Sequence, residues 1–230
     1  MRKAPKTLII VACSFVLFSL AIAYTPTQRP NVTFWNAPPS IEFDDMEHFG
    51  WSLDSVNRLV GWGIMSGDAH DYQNNFRPNF HMTRAEFSGV LVRAFGAYNE
   101  TASVPRHDNF PERWYYVYVS SLIESGIAQG YSDEYFGAFD TISRQDMALL
   151  IQRTMEFAEF DVPIVDETPI IFADADEIRP HAREAVAFLA ARGLLRGDRY
   201  GRFRPELPAE RVEIATIIDR VLTNGTPATQ

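Results

Sequence analysis

The sequence predicts a helical fold built from three helix-loop-helix units that share one core. Three observations predict it. Phe is followed eight residues later by Arg at Phe76/Arg84, Phe136/Arg144 and Phe203/Arg211. A Gly-x-x-x-Gly stands upstream of each pair, at Gly63/Gly67, Gly126/Gly130 and Gly193/Gly197. Twelve residues before each first glycine sit Trp51, Trp114 and His181. A repeat of this period is one supersecondary unit that cannot bury its apolar face alone. A lone unit of about 50 residues is poorly stabilised, so the three must pack together.

The chain opens on a candidate export leader, residues 1–23. Arg2, Lys3 and Lys6 form a positive start, Leu8 to Leu20 is apolar, and Ala21-Ile22-Ala23 is a small-residue cleavage site. Two main readings stand, cleavage or an uncleaved anchor in which residues 8–24 enter the membrane, with lipidation of Cys13 in Ile10-Val11-Ala12-Cys13 as a lesser third. Either main reading places the rest outside the cytoplasm. Residues 24–42, rich in Pro, Thr and Asn, read as a spacer. The units follow at 43–96, 105–157 and 170–223, and the tail 224–230 reads as frayed.

Within each unit the first helix ends at the first glycine. Trp51, Ser55, Val56, Leu59 and Val60 approach helical spacing before Gly63, and the other units repeat the arrangement. Loop residues then run to the Phe. Unit one has nine steps from Gly67 to Phe76, where units two and three have six. The second helix starts at a capping box, clearest at Thr83-x-x-Glu86 and weaker at Ser143-x-x-Asp146 and Glu210-x-x-Glu213. Apolar faces follow: Phe87, Val90, Leu91, Ala94; Met147, Leu150, Ile151, Thr154; and Ile214, Ile217, Ile218, Val221.

Composition narrows the function. The hydrophobic fraction of 46% supports a packed core. Net charge is −9, and becomes about −12 without the three leader cations, which argues against nucleic acid as a partner. Cys13 is the only cysteine and lies in the leader, so neither a disulfide framework nor a zinc-cysteine site is expected. Both lysines also lie there, so the cationic side chains after residue 23 are all arginine, the side chain suited to planar carboxylates. No Ser/His/Asp signature, phosphate loop or metal motif is present, and the acidic residues have roles as caps and surface charge. The expectation is a binding protein without catalysis, cofactor or metal.

These residues resemble the S-layer homology repeat, a wall-anchoring module of bacterial surface proteins. Unit one carries the pattern almost throughout: Phe43-Asp44-Asp45, Trp51, Gly63-Ile64-Met65-Ser66-Gly67, Phe76-Arg77-Pro78 and Thr83-Arg84-Ala85-Glu86. Unit two lacks the proline after Phe136. Unit three has His181 in place of Trp and Pro208-Ala209-Glu210 before Arg211. The resemblance implies an all-α fold, three repeats in a pseudo-threefold spindle around a central helical bundle, with grooves between neighbours. It implies an acidic secondary cell-wall polysaccharide, often pyruvylated, as ligand, or a peptidoglycan-linked glycan.

The candidate site follows from that chemistry. Arg84, Arg144 and Arg211 stand in the first turn of a helix, where free N–H groups favour an anion, and could hold a carboxylate bidentately. Trp51 and Trp114 could offer flat faces to sugar carbons, with core burial as the competing reading. Gly67, Gly130 and Gly197 would let backbone approach a ligand closely. Asp45, Asp108 and Asp174 read as caps of each first helix, with ligand contact as the alternative. His181 reads as a surface residue. A second function remains open: an adaptor whose repeats bind other surface proteins, for which the run Trp114-Tyr115-Tyr116-Val117-Tyr118 would serve if it formed one outer face.

Overall fold

The computed structural model describes residues 42–67, 74–165 and 171–227. The leader and nearly all of the spacer lie outside the described residues. So does most of the longer loop of unit one. Among the described residues, six α-helices carry the fold: α1 (Leu53–Gly61), α2 (Arg84–Phe95), α3 (Tyr116–Glu124), α4 (Arg144–Phe157), α5 (Arg183–Ala191) and α6 (Arg211–Asn224). No helix among them is long and apolar enough to cross a membrane.

The caps form as the sequence dictates, with graded quality. Thr83 accepts from the Glu86 amide while Glu86 accepts from the Thr83 amide, a complete box. Ser143 accepts from the Asp146 amide at 3.2 Å. Glu210 has no hydroxyl, yet its amide still donates to Glu213 at 3.1 Å. At the other ends of the first helices, Gly63, Gly126 and Gly193 take φ of 70°, 74° and 68°. That left-handed conformation stops a helix at little cost only for glycine.

The expected apolar faces of α2, α4 and α6 are buried throughout. Phe76, Phe136 and Phe203 are fully enclosed, as are Leu91, Ile151 and Ile218. Each such side chain contributes about 1.5–3 kcal/mol of transfer free energy. Packing runs between units rather than within them: α2 lies on α3, α4 on α5, and α6 on α1. Each unit's first helix therefore rests on the second helix of the unit before it, and the last unit closes onto the first.

The backbone repeats this closure. The Met82 amide donates to Ala209 (3.2 Å), Ala209 to Ile142 (2.9 Å) and Ile142 to Met82 (2.9 Å). These three hydrogen bonds form a ring just before the second helices.

The tail differs from expectation. A two-residue antiparallel pair joins β1 (Phe160–Asp161) to β2 (Thr226–Pro227). Gly225 makes this possible, because a side chain there would collide with the Phe160 ring. Of the segment expected to fray, Thr226–Pro227 is paired with the linker between units two and three, and residues 228–230 lie outside the described residues.

Candidate functional site

Each unit's loop turns at the residue after its buried Phe. Arg77, Gly137 and Arg204 occupy this position at φ of 57°, 82° and 59°. A left-handed arginine costs roughly 1–2 kcal/mol. The three aspartates offset it. Asp45 accepts from the amides of Phe76 (2.8 Å) and Arg77 (2.6 Å), and Asp174 from those of Phe203 (2.8 Å) and Arg204 (2.7 Å). Asp108 accepts from Phe136, Gly137 and also Ala138. The missing proline of unit two thus has a reason: Ala138 supplies an N–H that proline lacks.

This corrects the reading of Asp45, Asp108 and Asp174 as helix caps. The 3₁₀ turns beside Asp45 and Asp174 carry no side-chain cap bond. The carboxylates hold loop backbone instead, which leaves them poorly placed for a ligand. Gly67, Gly130 and Gly197 also receive a different role. A Cβ on Gly67 would stand 2.7 Å from the Phe43 ring, and one on Gly197 would stand 2.9 Å from the Gly201 carbonyl carbon. On Gly130 it would meet the carbonyl of Tyr135. Their bareness admits neighbouring backbone and the Phe43 ring, and Gly67 and Gly197 also each line a cavity.

The helix-start arginines reach across unit boundaries. Arg84 donates through Nε to Phe136 (3.2 Å) and through Nη2 to Gln129 (2.8 Å). Arg211 donates through Nε to Phe76 (2.9 Å) and through Nη2 to Ser66 (2.7 Å). Arg144 donates through Nε to Phe203 (2.8 Å) and through Nη1 to Glu213. Each guanidinium also lies over the Phe ring it reaches, 4.8–5.2 Å from its centroid. The expected carboxylate clamps are first of all ties between units. Arg84 is 7% exposed, and Tyr131 covers its other side at 5.0 Å. Burial pushes the Tyr131 hydroxyl up, and Arg84 opposes it.

Two cavities open at equivalent places. The larger, about 690 Å³, lies where Arg211 meets the loop of unit one. Arg77, Arg93, Arg211 and His81 line it, against one carboxylate, Glu86, which is engaged in the Thr83 cap. Phe80 and Met65 add apolar wall, and Trp114 stands at its edge from the next unit. The smaller, about 190 Å³, lies where Arg144 meets the loop of unit three. It is more self-neutralised. Asp198 binds Arg202 and Arg204, and Glu213 binds Arg144. The amide of Arg202, with that of Tyr200 and the two guanidinium forks, lowers Asp198 to about 2. Burial first, then Glu213, raises Glu210. At the third junction the Tyr131 ring takes the space beside Gly137, whose bareness makes room for it.

The remaining predicted residues separate. Trp51 and Trp114 are exposed, at 63% and 61%, but only Trp114 belongs to a described cavity. His181 is exposed and pairs with Asp146 at 2.9 Å. The aromatic run 114–118 is not one outer face, since Tyr115 and Tyr116 are buried. A second arginine triplet lies outside the predicted site. Arg93, Arg153 and Arg220, each nine residues after the first set, donate to the carbonyls of Ile64, Ile127 and Leu194. The same repeat spacing that marked Arg84 could have found them.

Residues 42–88, 108–148 and 171–215 match the S-layer homology domain. The chain is 24% identical over 222 residues to an endoglucanase of Bacillus sp. (strain KSM-635), covering 96% of this chain and 22% of that protein. It is 26% identical over 179 residues to the surface-layer 125 kDa protein of Lysinibacillus sphaericus, covering 76% and 14%. It is 24% identical over 155 residues to a cellulosome-anchoring protein of Acetivibrio thermocellus, covering 65% and 34%. The chain thus spans about a third or less of each of these relatives. Three tandem matches cover more than half of its residues, and the chain belongs to the S-layer homology domain family.

Proposed function

We propose that the chain is a non-covalent anchor at the bacterial cell surface that binds an acidic wall glycan without breaking bonds. The observation that carries this reading is the larger groove. Three arginines and a histidine converge there against one capped carboxylate, in a chain of net charge −9. A cationic cleft in an acidic protein selects an anion by complementarity and rejects neutral polymers. Arg211 and Arg77 would take a carboxylate, such as that of a pyruvyl ketal, while Phe80 and Trp114 flank the sugar. A pseudo-threefold spindle suits the ring of Met82, Ile142 and Ala209 and makes the two grooves repeats of one site. Anchoring is consistent with the family and with the names of the surface-layer and cellulosome-anchoring relatives. Outside-facing localisation fits the leader.

The test is a pull-down of residues 24–230 with purified sacculi, before and after mild acid removes the attached polysaccharide. Binding lost on stripping supports a polysaccharide anchor. Binding that survives stripping moves the ligand to peptidoglycan. No binding before stripping overturns the reading.

A further inference from the structure

The larger groove does not end at Trp114. The Trp114 ring lies 6.3 Å from that of Tyr118, and Tyr118 lies 5.8 Å from Tyr98. Arg93, which lines the groove, sits 5.4 Å from the Tyr118 centroid. A strip of three aromatic rings therefore leads out of the groove over α3 and the chain just after α2. Trp114 is 61% exposed and Tyr98 49%.

Tyr118 packs in part against the core, but the repeat does not require a ring at its position. Tyr118 stands four residues after Trp114, and the equivalent residues in the other units are Ser55 and Ala185. The same helix position is thus filled by small side chains elsewhere. Trp114 repeats Trp51, but Tyr118 and Tyr98 have no aromatic counterpart in the other units and extend the exposed aromatic surface at this junction.

We infer that the strip is a platform for the polysaccharide chain whose end occupies the groove, an inference that rests on the groove's proposed glycan ligand. Each ring pairs an apolar face with a polar tip, which matches a sugar's C–H face and its hydroxyls. Asn99 and Glu124, joined at 3.1 Å, and Thr101 lie on the same segments and add hydrogen-bonding groups. Area argues against a protein here. Three partly exposed rings offer on the order of 300 Å², whereas a stable protein interface needs about 800 Å² per partner. The rings are tilted by 60° and 55° to one another, which suits a single twisting chain over a flat stack of chains.

The probe is wall polysaccharide released by mild acid and sized into short fragments and long chains, titrated against the protein. The wild type is expected to bind long chains about tenfold tighter than short ones. Tyr98→Ala/Tyr118→Ala should bind both equally, with short-fragment affinity unchanged. Tyr98→Ser, at the more exposed ring, should lose part of the advantage and guards against a folding defect in the double variant. A retained long-chain advantage in both variants overturns the platform. Arg211→Ala separates the two ideas: failure of the wild type to bind short fragments sinks the groove reading, whereas short-fragment binding that depends on Arg211 but shows no length dependence sinks only the platform.

Discussion

Arg58, on the first helix, grips Asp219, on the last, through Nε at 2.7 Å and Nη2 at 2.6 Å. Ser55 adds a third donor to the same carboxylate at 2.7 Å. The two partners are 161 residues apart in sequence. The equivalent residues on α2 and α4 are Val92 and Gln152, so this ion pair belongs to the closing interface alone. Neighbouring units are held together by short linkers, whereas the first and third must find each other across the whole chain. A directional pair with its carboxylate buried and its guanidinium partly exposed suits that junction. The Asp219 interaction also raises Arg58, keeping it charged.

Asp219→Ala is expected to cost about 2–4 kcal/mol, because it strands three donor groups, two on Arg58 and one on Ser55, at a packed interface. Urea unfolding measures it. Arg58→Met/Asp219→Leu should lose less than Asp219→Ala alone, since the pair is then replaced rather than broken. Equal losses would mean that the interface depends on its apolar packing and not on the charges.

Asp108→Ala should be the most damaging of the loop aspartates. It strands three amides, where Asp45→Ala and Asp174→Ala each strand two. A loss of about 2–3 kcal/mol is expected, seen as a fall in Tm, with smaller falls for the other two. An identical effect at all three positions would argue that the extra Ala138 bond contributes nothing.

Local rules made the helices legible: the stops at Gly63, Gly126 and Gly193 and the cap at Thr83 depend on near neighbours only. The roles of Asp108 and Gly130 were not legible in the same way. Their partners, the amides of 136–138 and the carbonyl of Tyr135, are close in space only after the loop closes. The arginines fell between these cases. Repeat spacing singled out Arg84, Arg144 and Arg211, yet nothing local said that each would reach into the following unit. Tyr131 has no counterpart in the repeat pattern, where Asp68 and Asp198 stand instead, and that is why it can fill one junction and leave the others open.

Glu210 gives a pH signature. Its folded-state carboxyl is raised, by burial first and Glu213 second, above the ordinary 4.5. A carboxyl raised on folding contributes stability that is present below the unfolded value and lost as pH rises through the folded one. Glu210→Gln removes the penalty and should gain about 0.5 kcal/mol at pH 7, with no gain near pH 4. Urea midpoints at the two pH values test this. A gain of equal size at both would assign the effect to packing.

Arg77 separates binding from stability. It holds a left-handed φ of 57° in the wall of the larger groove, where unit two uses Gly137 for the same turn. Arg77→Gly relieves the backbone strain and gives up side-chain packing on Phe80, whose ring lies 4.9 Å below the guanidinium. These effects oppose, as does the greater freedom of glycine in the unfolded chain, so stability should stay within about 1 kcal/mol of wild type. If Arg77 meets an anion, sacculus binding should nevertheless fall about five- to tenfold. Arg204→Gly makes the same change in the smaller groove, where Asp198 already neutralises the arginine, and should weaken binding less. Because neither substitution unfolds the turn, a loss of binding in Arg77→Gly with an unchanged melt can come only from the groove. Unchanged binding with an unchanged melt would leave Arg77 a surface residue and move the anion contact to Arg211 and Arg93.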